Sequence, residues 1–317
     1  IPNEQAILMS TRDGYIKRIA PDTFKLQARG GKGIIGLTTK EEDTVEQLIS
    51  CMTHNDLLFF TTKGRVFQLK AYDIPVASRT SKGQAVVNFL QLSQNEKVSA
   101  ILSLADLKKY KYLTMVTTEG LIKKTAIEDF SSVRRSGLIA LKLKGSDELA
   151  WVKPTTGKDE TILVTSNGQS IRFKEHDVRP MGRTAAGVHG MRLHKGDTIV
   201  GMDIVSQDMK DAQLLIVMER GFGKRSKLKE YKTQNRSGSG IKTAKVTDKT
   251  GRIVMARVIS GQLTPEDGGT DLLMMSAKGQ VIRIKLQQVP ILGRATQGVR
   301  VMRFKETADI IASVAVL

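Results

Sequence analysis

The sequence predicts an all-β fold, a propeller-like ring of six four-stranded blades, and three observations carry that expectation. A short apolar run followed by a turn glycine recurs six times: residues 7–9 before Gly14, 57–60 before Gly64, 113–116 before Gly120, 162–164 before Gly168, 214–218 before Gly221 and 272–275 before Gly279. A second glycine follows each first one, at Gly33, Gly83, Gly137, Gly187, Gly240 and Gly298, 19 residues on in five repeats and 17 in the third. Arginine stands four residues before five of these second glycines, as Arg29, Arg79, Arg183, Arg236 and Arg294, and the shorter third repeat has Arg134-Arg135 instead. Self-similarity at a period of about 50 residues is the mark of a repeat architecture.

Each repeat reads as four short strands. The apolar run is the first, and its unbroken hydrophobicity suits a strand covered on both faces, as stacked blades would require. The first glycine sits where a tight hairpin needs positive φ. The second strand follows it, as in Val66-Phe67-Gln68-Leu69-Lys70 or Val281-Ile282-Arg283-Ile284-Lys285. The third follows the second glycine, as in residues 299–304, and the alternation of both predicts partial exposure. A fourth closes the unit, as in residues 253–259 or 310–316. The blades are expected at about 1–52, 53–106, 107–156, 157–207, 208–264 and 265–317, forming one domain. A solenoid is the competing architecture, but neither end of the chain reads as a polar capping repeat.

Fifty Lys and Arg against 32 Asp and Glu give a net charge of +18, which favours nucleic acid, an anionic membrane surface or an acidic partner. The repeats locate that charge. From just after the turn glycine to the second glycine, the six repeats carry +4, +3, +2, +2, +5 and +3, so these stretches total +19 and the rest of the chain is close to neutral. A solubility surface would mix signs without respecting the repeat. The recurrence predicts a basic rim. Aromatic residues are only 5% and do not recur beside the cations, which argues against a platform for stacking single strands. No run approaches the ~20 apolar residues of a membrane helix. Cations at regular intervals match phosphates met along a curving duplex backbone. The expected partner is duplex DNA read with little sequence preference, with no membrane, cofactor or metal.

One heptad stands apart: Gln27-Ala28-Arg29-Gly30-Gly31-Lys32-Gly33. Its glycines allow backbone N–H groups close to a phosphate, and Arg29 and Lys32 add charge. It is not a P-loop, because Lys32 is followed by Gly33 rather than Ser or Thr. The heptad closely resembles the Q-R-R-G-G-K-G box of DNA gyrase A subunits, departing at Ala28, and the six repeats extend the resemblance over essentially the whole chain. The resemblance implies the C-terminal domain of that family, a six-bladed β-pinwheel in which hairpins are exchanged between blades. It implies a non-catalytic domain that bends duplex DNA around its perimeter so that gyrase introduces negative supercoils. Partners would be the remainder of the A subunit, and through it the B subunit, in the bacterial cytoplasm at the nucleoid. The cleavage tyrosine and the ATPase would lie outside this chain. By position, the box is Gln27 to Gly33, with one expected cation missing at Ala28. The repeat adds Arg79, Lys82, Arg134, Arg135, Arg183, Arg236 and Arg294 as rim positions. Competing readings are the related subunit of topoisomerase IV, whose blades usually carry a degenerate box, and a propeller scaffold for an acidic protein.

Other signals are weaker. The chain opens at Ile1 rather than Met, which reads as a fragment of something longer. The single cysteine, Cys51, excludes an internal disulfide and suits a reducing compartment. Cys51 and Trp151 both sit in apolar closing strands and are expected in the core. His189, His194 and Asp197 are too sparse for a convincing metal site.

Overall fold

The computed structural model describes residues 1–20, 45–78, 80–262 and 271–316. The chain is all-β, a six-bladed propeller whose blades are antiparallel sheets. Blade 1 runs, from the inner strand outward, Val45–Met52, Gln5–Thr11, Tyr15–Ile19 and Gln84–Ala85. Blade 2 is Val98–Ser103, Asp56–Thr61, Arg65–Lys70 and Leu138–Ile139; blade 3 is Leu149–Thr155, Tyr112–Thr117, Leu121–Ala126 and Val188–His189. Blade 4 is Ile199–Val205, Glu160–Thr165, Gln169–Lys174 and Ile241–Lys242; blade 5 is Ile253–Ile259, Gln213–Met218, Phe222–Lys227 and Val299–Arg300. Blade 6 has three strands among the described residues, Ile311–Val316, Asp271–Ser276 and Val281–Lys285.

The outer strand of each of the first five blades therefore comes from the following repeat. The strand after the second glycine does not pair within its own unit, as a purely local reading of the four strands would have it; it crosses to the preceding blade and pairs for two residues only. The inner strands lie side by side in chain order, and the last, Ile311–Val316, meets the first, Val45–Met52. Arg12 Nη1 donates to the Ala312 carbonyl at 3.2 Å across that closing junction.

Burial of the first strands follows from their period of two. In blade 2, Leu57 and Phe59 enter the core shared with blade 1, while Leu58 and Phe60 enter the core shared with blade 3. Blades 3 and 4 share Val116, Leu163 and Phe173; blades 4 and 5 share Ile162, Val164, Leu214 and Ile216; blades 5 and 6 share Leu215, Val217, Leu272 and Met274. A strand that faces a core on each side must be apolar throughout, which is why the first strands are unbroken. Cys51 is buried at the end of its inner strand, and Trp151 is half-buried against the core of blades 3 and 4. In blades 2, 3, 4 and 6 the turn between first and second strands is pinned by a carboxylate from the connection into the inner strand. Asp197 Oδ1, for example, accepts from Ser166 Oγ at 2.7 Å and from the Asn167 N–H at 3.1 Å.

Candidate nucleic-acid interface

The exchanged segment of repeats 2, 4, 5 and 6 makes one structure at the ring's perimeter. It first runs parallel to the second strand of the preceding blade, at Val76 beside Arg18, Pro180 beside Lys124, Thr233 beside Arg172 and Ile291 beside Arg225. It then turns and returns antiparallel as the outer strand. The second glycine stands at that return. At Gly187 φ is +86°, and a Cβ would lie 2.5 Å from the Ile122 carbonyl oxygen, so both the conformation and the close approach require glycine.

The second strands of blades 1, 3 and 5 are more buried than their alternation predicts. Lys17, Arg18, Lys123, Lys124, Lys224 and Arg225 are all buried, although they fall within the stretches counted as rim charge. Four residues after the turn glycine, Arg18 Nε donates to the Ile74 carbonyl at 2.8 Å, Arg172 Nη1 to the Leu228 carbonyl at 2.9 Å and Arg225 Nε to the Val289 carbonyl at 2.7 Å. Lys124 Nζ likewise reaches the Glu175 carbonyl at 3.1 Å. These cations fasten the incoming loop of the next repeat to the blade, and they satisfy backbone carbonyls that burial would otherwise leave unpaired. The sequence count therefore overstates the charge the perimeter presents.

The repeat arginines before the second glycine are half-buried and hold neighbouring outer strands together. Arg183 Nη1 donates to the Ile139 carbonyl at 3.1 Å, Arg236 Nη1 to the His189 carbonyl and Arg294 Nη1 to the Lys242 carbonyl. Each acceptor is the last residue of the preceding outer strand, so the guanidinium groups are set at equivalent places around the ring. Arg134 is exposed, as is Arg135, which pairs with Asp73 at 2.8 Å. The Lys82 ammonium lies over the Tyr15 ring, 4.1 Å from its centroid. Arg79 and the heptad Gln27, Ala28, Arg29, Gly30, Gly31, Lys32 and Gly33 lie outside the described residues.

A second row of cations escaped the sequence reading because it begins beyond the second glycine. Five residues after that glycine stand Lys142, Arg192, Lys245 and Arg303, all exposed, with Asn88 at the same place in the second repeat. Their backbones are fixed by the next loop: the N–H groups of Lys142, Arg192 and Lys245 donate to the carbonyls of Ala185, Gly238 and Thr296 at 3.1, 2.8 and 3.1 Å. The signal was in the sequence as a cation at constant offset in four consecutive repeats.

The six repeats are also a family pattern. A model described as the DNA gyrase C-terminal domain, beta-propeller, matches residues 5–52, 55–105, 111–156, 159–206, 213–260 and 270–317. The chain belongs to the DNA gyrase C-terminal domain family. Proteins similar to this chain include the DNA gyrase A subunits of Staphylococcus epidermidis (strain ATCC 12228) and of Staphylococcus aureus (strain NCTC 8325), each 40% identical over 304 residues. That alignment covers 96% of this chain and 33% of each relative, so the chain spans about a third of the length of the curated relatives it matches. Among solved structures, the C-terminal domain of DNA topoisomerase IV superposes with a TM-score of 0.80 at 27% identity, covering 99% of this chain and 94% of that one. A DNA gyrase A C-terminal domain superposes with a TM-score of 0.73 at 25% identity, covering 98% and 99%. Family membership and the exchanged blades of this propeller agree on the architecture. Among the described residues, no helix is long and apolar enough to cross a membrane.

Proposed function

We propose that this gyrase-family domain binds duplex DNA along its perimeter, bends it and wraps it chirally, so that the parent topoisomerase introduces negative supercoils. The observation that carries this reading is the double row of cations, one before and one after the second glycine, repeated from blade to blade on the outer loops. Recognition of this kind is of backbone and deformability rather than of base edges, so little sequence preference is expected. The box Gln27–Gly33 and the rim positions Arg79, Lys82, Arg134, Arg135, Arg183, Arg236 and Arg294 are assigned to DNA on the same reading. Its protein partners are the B subunit of gyrase with the remainder of gyrase A, to which DNA cleavage and ATP hydrolysis belong.

Energy scales require several blades to act together. With a persistence length of ~150 bp, turning ~40 bp through a half circle costs roughly 11 kcal/mol. A single non-specific patch binds at only about 10⁻⁴–10⁻⁶ M, or roughly 5–8 kcal/mol. One blade cannot hold the bend, whereas successive blades can.

The test is topological. The domain is mixed with nicked circular DNA, the nick is sealed with ligase, and the linking number is read against domain concentration. A progressive shift is expected, abolished when residues 27–33 are replaced by alanine. Tight binding with no shift would refute chiral wrapping by this domain. The higher TM-score of the topoisomerase IV domain favours a second reading, as that protein's counterpart, while the near-complete box favours gyrase; on the second reading replacing the box leaves DNA topology unchanged.

A further inference from the structure

Three residues after each turn glycine the sequence alternates: Lys17, Phe67, Lys123, Ile171, Lys224 and Ile282. Blades 1, 3 and 5 thus carry a lysine where blades 2, 4 and 6 carry an apolar side chain, and all three lysines are buried. Lys123 has no exposed surface, and its ammonium donates to the carbonyls of Ala140 at 2.5 Å, Gly182 at 3.0 Å, Arg183 at 2.7 Å and Ala185 at 3.2 Å. The Lys224 ammonium donates to the carbonyls of Gly293 at 2.9 Å and Arg294 at 2.7 Å, and to Thr296 Oγ1 at 3.2 Å. Lys17 makes the same kind of contact with the carbonyls of Ser78 and Ser81. Each lysine is therefore caged by the following repeat's loop, the one that bears the arginine. In the alternate loops hydrocarbon takes that place: the Phe67 ring lies 2.6 Å from where a Cβ on Gly137 would stand.

Turning carbonyls inward turns amides outward, because the C=O and N–H of a trans peptide point in opposite directions. The inward carbonyls of Gly182 and Arg183 direct the N–H groups of Arg183 and Thr184 away from the lysine, side by side. Those of Gly293 and Arg294 do the same for Arg294 and Ala295. Successive N–H groups facing one way form an anion-binding concavity. Among the described residues, neither the Arg183 nor the Thr184 N–H meets a protein acceptor. In the equivalent loop the Arg294 N–H meets a carboxylate oxygen, Glu230 Oε1, at 3.3 Å, so an anionic group already occupies that position. Burial, and then the neighbouring Arg183, lower Lys123 to about 7, with Asp129 acting in the opposite direction. Its four carbonyl acceptors still call for the ammonium, since a neutral amine has only two N–H donors.

We propose that the loop of repeat 4 is a phosphate nest, taking one backbone phosphate of duplex DNA on the paired amides of Arg183 and Thr184, and that Lys123 is the positioning residue that builds it. This rests on the reading of the perimeter as a DNA surface.

The experiment is amide-resolved NMR on the 317-residue chain, titrated with a ~40 bp duplex, alongside affinity measured from 50 to 200 mM salt. The expected result is a saturable shift of the Arg183 and Thr184 amides. Lys123→Met should abolish that shift and reduce the log–log salt slope by about 0.9, the value for one phosphate contact. Because a buried substitution can unfold its blade, Thr184→Asp offers an independent route: it places a carboxylate at the mouth of an exposed loop and should block that nest, while Thr184→Asn should not. Duplex binding that leaves these amides unmoved would overturn the nest and leave the DNA surface standing. Failure of the duplex to bind at 50 mM salt would overturn both.

Discussion

Replacing Lys142, Arg192, Lys245 and Arg303 together with glutamine tests whether the row beyond the second glycine faces DNA. The fold should survive, because all four side chains are exposed and the backbone bonds that fix three of them do not involve the side chain. If each cation neutralises one phosphate, four contacts are lost and the log–log salt slope falls by about 3.6. From 50 to 200 mM salt the variant should then lose about two orders of magnitude less affinity than the parent. Fluorescence anisotropy of a labelled ~40 bp duplex across that range measures both slopes. A matched variant, with glutamine at Lys108, Lys109, Lys111 and Lys158 in the connectors that follow inner strands, removes the same charge from a different place and should leave the slope nearly unchanged. Equal effects of the two variants, or a change of less than about one unit in the first, would refute a directed rim and leave only the overall positive field.

Two further perturbations probe how the ring is held. Burial works to raise the Glu96 carboxyl, but bonds from Arg65, Thr61 Oγ1 and the Ser93 N–H outweigh it and hold the group down at about 2, against an ordinary 4.5. Because the folded value is depressed, this stabilisation is complete above pH 4.5 and is lost as pH falls toward 2; Glu96→Gln should cost about 1–3 kcal/mol in urea unfolding at pH 7 and progressively less by pH 3, whereas a pH-independent penalty would contradict the argument. Gly14 and Gly168 are both turn glycines, with φ of +87° and +94°, but a Cβ at Gly168 would stand 2.6 Å from the Ala244 carbonyl oxygen of the exchanged segment, while at Gly14 nothing among the described residues lies within 4 Å. Gly14→Ala should cost only the ~1–2 kcal/mol of a left-handed alanine, and Gly168→Ala at least ~1–3 kcal/mol more, read as denaturant midpoints; equal losses would mean that the exchanged segment does not press on its turn.

Turn glycines and apolar first strands were legible because both are local requirements. All six turn glycines have positive φ, and each apolar run became a first strand, which in blades 2 to 5 lies between two cores. The destination of the third strand was not legible from periodicity, since alternation specifies a strand but not its partner; only the family resemblance pointed to exchange. The burial of Lys123 and Lys224 was hidden for a similar reason. A lysine in a basic stretch reads as exposed, and what buries these two is chiefly a set of carbonyls 59–62 and 69–70 residues downstream. Arg183, Arg236 and Arg294 were found by spacing, but their bonds to the preceding outer strand could not be.

Exchange of the outer strand has a consequence for synthesis. A nascent blade 2 has its hairpin and inner strand by Ser103, yet the strand that caps its edge, Leu138–Ile139, emerges only after the whole of the next repeat's hairpin has been made. Until then Arg65–Lys70 presents unpaired backbone groups, the kind of edge that templates pairing with another chain. As each of blades 1 to 5 is sealed, the next repeat leaves a fresh edge open, so the growing chain carries one hazard that moves forward with translation. The charged residues on these second strands, Lys17, Lys123 and Lys224 among them, are costly to bury in any foreign β-partner, and so guard the edge during the interval in which their carbonyl cages do not yet exist.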